Sequence, residues 1–309
     1  MTTDVRRIAG FWRRLVALLL DLLLLGTIGA VMGFVAFDVL AELGAFGRVV
    51  GFLGALAYFG LLNSRIGGGQ TLGKRLLGIR VVDGGGALLS LPRSLLRYCV
   101  LGIPFFLNGA PFGSTVLRPG WGWVLSAVVF GGMLSILYLY LFNRRTRRSL
   151  HDLAVGSWVV NADPPHGPVP GIRTWRGHLV VVGLLFAMAF VAPSVALRQM
   201  DGGVFGDLVR VQGVVASLPG VQYVEVKANY DLETWEPDGG VTVRVRLDGG
   251  RIDDEARARD MARRIVRTDM AHIEVEQVTV VLSHGFDLGM ASAWRNHAHT
   301  FEAEDLAGG

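Results

Sequence analysis

The chain has 309 residues, 51% of them hydrophobic, and a positive mean hydropathy. Residues 1–197 hold 18 Lys/Arg against 7 Asp/Glu, whereas residues 198–309 hold 12 against 19. A basic, apolar front and an acidic back exclude one soluble domain and predict two domains in different solvents. The lone cysteine, Cys99, excludes an intrachain disulfide. The arginines flank apolar segments instead of covering a soluble face, so they read as topology signals and no nucleic-acid partner is expected.

The first apolar segment, Leu15–Phe37, contains one charge, Asp21. Its length and its aspartate point to a retained span, not a cleaved signal peptide. A carboxylate in that position is expensive in lipid, which makes Asp21 a candidate functional residue. Gly47–Asn63 follows, with glycines at 47, 51, 54 and 60. Small residues let helices approach closely, so this span is expected to pack in protein. Leu95–Leu107 is short and carries Arg97 and Pro104. Trp121–Phe142 has Trp121 and Trp123 at one end and Tyr138 and Tyr140 near the other, an aromatic-belt pattern. Pro164, Pro165, Pro168 and Pro170 mark a linker at 163–176, before a last apolar segment, Gly177–Leu197.

Basic residues set the expected topology. Arg6, Arg7, Arg13 and Arg14 place the N-terminus in the cytoplasm. Arg65, Lys74, Arg75, Arg80 and Arg93 place the loop after the second span there too, as do Arg144, Arg145, Arg147 and Arg148 for the loop after Phe142. Two inside loops need an even number of crossings between them, so residues 95–117 are expected to span. The reading is a polytopic α-helical domain of five spans in the cell (inner) membrane, at 15–37, 47–63, 95–117, 121–142 and 177–197. A small extracytoplasmic α+β domain follows.

The loop Gly67-Gly68-Gly69-Gln70-Thr71-Leu72-Gly73-Lys74 approaches a phosphate-binding loop. Arg75 stands where a Ser or Thr would hold magnesium, and no strand precedes it, so no nucleotide site is assigned. It reads as a turn at the membrane surface with Lys74 and Arg75 among anionic headgroups. Ile79–Val82 and Trp158–Val160 are short β-type runs, expected to pair as a cytoplasmic ribbon.

Three pieces occur in order: Ala9-Gly10-Phe11-Trp12-Arg13-Arg14 leading to Asp21; Gln70-Thr71-Leu72-Gly73-Lys74 with Gly78-Ile79-Arg80-Val81-Val82 after it; and His151-Asp152. Together they resemble the RDD family of small bacterial membrane proteins, over roughly residues 5–162. The resemblance implies that Arg14, Asp21 and Asp152 are the signature residues of an RDD-like domain at 1–162, and it suggests transport of ions or small solutes. The fifth span and the back domain lie outside it.

Arg14 and Asp21 are seven residues apart and share a helix face, with a rise of about 10 Å between them. Arg97 is the natural cationic partner for Asp21, and Asp152 with His151 sits on the same side of the membrane. Two readings stay open: a polar clamp that fixes helix packing, or a desolvated carboxylate that exchanges a proton and a cation. Few polar groups lie deeper (Thr27, Ser126 and Ser135), so a continuous ion path would need a homo-oligomer.

Residues 198–309 read as helix, strand, strand, helix, strand, forming an antiparallel sheet with helices on one face. Val241, Val243, Val245 and Leu247 alternate inward. Ala258, Met261, Ala262 and Ile265 form the inner stripe of a helix capped by Asp253. His284, His297 and His299 read as solvated in a polar tail, not as a metal site. Tyr230, Trp235 and Trp294 are aromatics for packing or for a partner. No catalytic constellation stands out, so neither an enzyme nor a cofactor is expected. The alternative to a transporter is a non-catalytic membrane anchor whose external domain binds a protein partner.

Overall fold

The computed structural model describes residues 8–110, 120–163, 168–169, 171–200, 203–230, 237–249 and 251–307. Arg6, Arg7, Leu117, Arg118, the prolines Pro164, Pro165 and Pro170, and Trp235 lie outside the described residues.

The membrane domain is built of helices joined by a small sheet. Its elements are α1 (Phe11–Val35), α2 (Phe37–Glu42), α3 (Gly47–Leu62), α4 (Leu72–Leu76), β1 (Ile79–Asp83), α5 (Leu91–Leu107), α6 (Trp121–Ser126), α7 (Gly132–Phe142), α8 (Leu150–Val155), β2 (Ser157–Asn161) and α9 (Arg176–Met200). One π-helical turn, Ala127–Gly131, joins α6 to α7. Among the described residues, three helices are long and apolar enough to cross a membrane: Phe11–Val35, Trp121–Phe142 and Arg176–Val195. Helices α3 and α5 have 16 and 17 residues. They rise about 24–26 Å, somewhat short of a hydrocarbon core of roughly 30 Å. The third apolar segment starts earlier than its hydropathy predicts, at Leu91, where Pro92 suits a first turn. It stops at Leu107, before Asn108 and a left-handed Gly109.

The expected ribbon is present. Strands β1 and β2 pair antiparallel, with Val81 opposite Val159 and Val82 opposite Trp158. Ile8 bridges to Val160, and the Ala9 N–H donates to the Val159 carbonyl at 3.0 Å. Helix α1 begins two residues later, so the ribbon fixes where Arg13 and Arg14 enter the helix. Helix α9 runs along α6 and α7. The Ser126 hydroxyl donates to the Ala189 carbonyl at 2.6 Å, and the Tyr138 hydroxyl lies 3.0 Å from His178 Nδ1.

The C-terminal domain comprises α10 (Gly203–Ala216), β3 (Val221–Tyr230), β4 (Pro237–Leu247), α11 (Glu255–Val266), β5 (Gln277–Asp287), β6 (Ser292–Glu302) and α12 (Ala303–Ala307). The sheet order is β3-β4-β5-β6. It is mixed, not antiparallel throughout: β4 and β5 run parallel, because α11 carries the chain back across the sheet between them. The valines of β4 and the stripe Ala258, Met261, Ala262 and Ile265 of α11 all face the core, with Val211 and Val215 of α10. The fourth strand, β6, occupies what reads in sequence as a polar tail. His297 and His299 lie on it opposite Leu282 and Val280. His299 is buried beside the Ile252 carbonyl, 3.2 Å from Nε2.

The two domains touch through the β5–β6 hairpin. Its tip, Asp287-Leu288-Gly289-Met290-Ala291, sits among the ends of α1, α3 and α5 that lie away from Arg14. A Cβ at Gly51 would collide with the Leu288 carbonyl oxygen, and one at Gly33 with the Phe286 ring. The glycine-rich α3 therefore does pack in protein: Gly47 and Gly51 against the chain's own C-terminal domain, and Gly60 against Leu95 of α5. Arg48 secures the seat: its Nε donates to Asp287 Oδ2 at 2.9 Å, and its Nη1 donates to the carbonyls of Phe106 and Asn108.

Candidate functional site: a buried arginine–aspartate clamp beside a cationic cavity

Helix α8 is one and a half turns long, and its third residue is Asp152. The carboxylate is fully buried and gathers donors from four elements. Arg97 of α5 gives Nη2 at 2.7 Å and Nε at 3.0 Å to Oδ1. Ser157 of β2 gives its hydroxyl to the same oxygen at 2.9 Å. Arg14 of α1 gives Nη2 to Oδ2 at 2.7 Å, and the Ser149 N–H reaches Oδ2 at 3.4 Å. Burial alone would raise this carboxyl, but the charges of Arg97 and Arg14 and the Arg97 hydrogen bonds hold it well below the usual carboxylate range. His151 Nε2 lies 3.7 Å from Oδ2. Burial pushes the imidazole down to about 3 against the pull of Asp152, so it is neutral at pH 7. Two arginines against one aspartate leave this cluster with a net positive charge.

Arg14 has a second acceptor. Its Nη1 donates to the Arg147 carbonyl. Arg147 has φ +53°, a left-handed conformation that a non-glycine residue holds only at a cost of about 1–3 kcal/mol. The turn that imposes it is tied down by Asn143, whose Nδ2 donates to the Arg148 carbonyl at 2.9 Å, and by Thr146, whose hydroxyl donates to Asn143 Oδ1 at 2.8 Å.

Asp21 belongs to a different group. It is fully buried and accepts from the Tyr58 hydroxyl at 2.8 Å, the Thr71 hydroxyl at 2.5 Å and the Gly73 N–H at 2.8 Å. Arg97, the expected partner of Asp21, pairs with Asp152 instead, because α5 turns that side chain toward α8 and β2. Asp21 therefore holds the 70–74 loop. Gly73 is required there, since a Cβ would collide with the Ala17 carbonyl and stand 3.0 Å from Asp21 Oδ1. Thr71 caps α4 by accepting the Lys74 N–H, and Gln70 Nε2 donates to the Ile79 carbonyl at 2.9 Å, joining the loop to the ribbon.

Lys74 is the residue that this loop delivers. It is half-buried, and its Nζ lies 3.3 Å from the Thr71 hydroxyl and 5.8 Å from the Phe59 ring centroid. Burial first, then the charge of Arg97, pushes its amine down to about 7, although Asp21 pulls the other way. Lys74, Arg14, Arg97 and His151 line one end of a cavity of about 320 Å³. Its remaining walls are mostly apolar and come from α1, α3, α5, α7, β1 and β2. No Asp or Glu is among the lining residues, and Asp21 stands behind Lys74.

Of the residues singled out in sequence, Arg14, Arg97, His151 and Asp152 come together, and Asp21 joins Thr71 and Gly73 in the neighbouring group. Tyr58, Ser157 and the Arg147 carbonyl have no sequence signal. A tyrosine in an apolar helix, a serine opening a strand and a backbone oxygen look ordinary. Among the described residues, no group of three His, Cys, Asp or Glu is placed to hold a metal ion.

Apolar helices of spanning length, tied at one end by buried arginine–aspartate pairs, define an integral membrane protein. The RDD family model matches residues 8–156, so this part of the chain is an RDD-family domain. No curated protein and no solved structure matches the chain.

Proposed function

We propose that this is a five-span protein of the inner membrane whose RDD domain binds a small anionic solute and moves it across the bilayer. The N-terminus and the Arg14–Asp152 end lie in the cytoplasm and the C-terminal domain outside. The carrying observation is the cavity: three cationic side chains line one end, and no carboxylate lines it. That charge pattern favours an anion over the cation that a lone Asp21 in an apolar helix suggests. The clamp holds α1, α5 and α8 apart around the space, and Asp21 positions Lys74 from behind. Alternate directions of α1, α3, α5, α6–α7 and α9 support five crossings, and the Arg-rich segments favour the cytoplasm for the clamp end.

The test is flux from proteoliposomes of the full chain loaded with labelled organic anions, alongside Lys74→Gln. Protein-dependent release that slows about tenfold in the variant supports the reading. Release no faster than from protein-free vesicles refutes it. A reporter fused after Asn63 tests the topology and should be cytoplasmic.

A second reading rests on the open face of the external sheet. There the Arg246 guanidinium lies 4.8 Å from the Tyr223 ring centroid and 4.4 Å from that of Trp294. In that reading the domain docks a protein partner and the helices anchor it.

A further inference from the structure

The cavity has two chemically distinct halves. At one end stand Lys74, Arg14 and Arg97 with neutral His151, whose Nδ1 is buried and has no hydrogen-bond partner among the described residues. From there the space runs along the helices toward Leu101 and Phe105 of α5 and Met133 and Leu137 of α7. Phe105 is eight residues beyond Arg97, a rise of about 12 Å, and Met133 is seven residues from Tyr140, about 10 Å. The apolar half is therefore long as well as greasy. A small hydrated anion would leave that half empty or wet, with no charged group there to hold the water. The clamp residues are already committed to Asp152, but the cluster keeps its net positive charge. Lys74 has only the Thr71 hydroxyl as a hydrogen-bond partner among the described residues.

We propose that the ligand is an anionic amphiphile, with its carboxylate or phosphate beside Lys74, Arg14 and Arg97 and one alkyl chain between α5 and α7. This rests on the reading of the cavity as an anion site and adds the class of anion. The headgroup is recognised by charge and the chain by burial, worth about 0.8 kcal/mol per methylene removed from water. The volume lies at the small end of ordinary ligand sites, roughly 300–1,000 Å³. It suits one chain and not two, so a two-chain lipid would leave its second chain in the bilayer.

The experiment uses the full chain, delipidated in detergent, titrated by native mass spectrometry. The probes are palmitate, phosphatidylglycerol, phosphatidylcholine of matched chains, and inorganic phosphate. Two variants separate the halves: Lys74→Gln removes charge at the head, and Met133→Trp fills the chain channel. Leu137→Phe serves if the tryptophan variant elutes as aggregate. Palmitate or phosphatidylglycerol should bind at least about tenfold tighter than phosphatidylcholine. Each variant should weaken that binding about tenfold, with inorganic phosphate silent. Whichever of palmitate and phosphatidylglycerol binds tighter identifies the source of the headgroup. Phosphate binding that depends on Lys74 but ignores Met133→Trp would overturn the amphiphile and leave the anionic-solute reading standing. Equal binding of phosphatidylcholine would remove the role of charge. Silence of all four probes would overturn both.

Discussion

The two ends of the membrane domain are held by opposite means. At one end, three helices and a strand converge on Asp152, and the bonds are charged, directional and buried. At the other, a hairpin from the C-terminal domain fills a groove floored by glycines, with Arg48–Asp287 as its ion pair at 2.8 Å. Charge suits the end where helices must stand apart around a cavity, because long guanidinium arms can span the gap. Shape suits the end where backbones come into contact, because a glycine floor admits a carbonyl that any side chain would expel. The charged end should fail abruptly, since removing one partner strands the others. The shaped end should fail by degrees.

The largest effect should therefore come from Asp152→Ala, which leaves Arg14 and Arg97 buried without an acceptor. Breaking a buried pair in this way costs about 3–5 kcal/mol. Thermal unfolding of the purified protein in detergent, compared with wild type, reads it out. A loss under about 1 kcal/mol would mean that the carboxylate is not holding the helices. A smaller effect should come from Gly51→Leu, which overpacks the hairpin seat at a typical cost of about 1–3 kcal/mol. Its sharper readout is protection of the hairpin: amide hydrogen exchange across Asp287–Ala291 should speed up in Gly51→Leu. Unchanged exchange there would show that Gly51 does not seat the hairpin.

Both ends were partly legible in the sequence, for reasons that follow the same division. Arg14, Arg97 and Asp152 stood out because charges in or beside apolar runs are rare. Their pairing did not, because partner choice depends on helix rotation: Asp21 turns toward Thr71 and Gly73, and Arg97 turns away from it. The β1–β2 ribbon was readable because both runs are β-branched and short. The glycines of α3 announced a close protein contact, but nothing local names its occupant, which lies more than 230 residues along the chain (Gly51 to Leu288). Strand β6 was hidden because its alternation is broken: the inward His299 carries an imidazole, and His297, on the same side of the strand, is exposed.

Lys74 stands between the clamp and the Asp21 group, and its expected signature is a dependence of stability on pH. Its neighbours are Arg97 from α5, Arg14 and Asp21 from α1, and Asp152 from α8. In the folded protein its amine titrates near 7; unfolded, it titrates near 10.4. Between those values the unfolded chain binds more protons, so this residue makes stability rise with pH from about 7 to about 10 and adds no slope below. Lys74→Met should remove that rise, seen as the difference between wild-type and variant unfolding across pH 6–10. A flat difference would place the amine in water. A bound anion would stabilise the charged amine and move the start of the rise to higher pH. Repeating the series with saturating palmitate therefore asks whether the cavity and the lysine belong to one site.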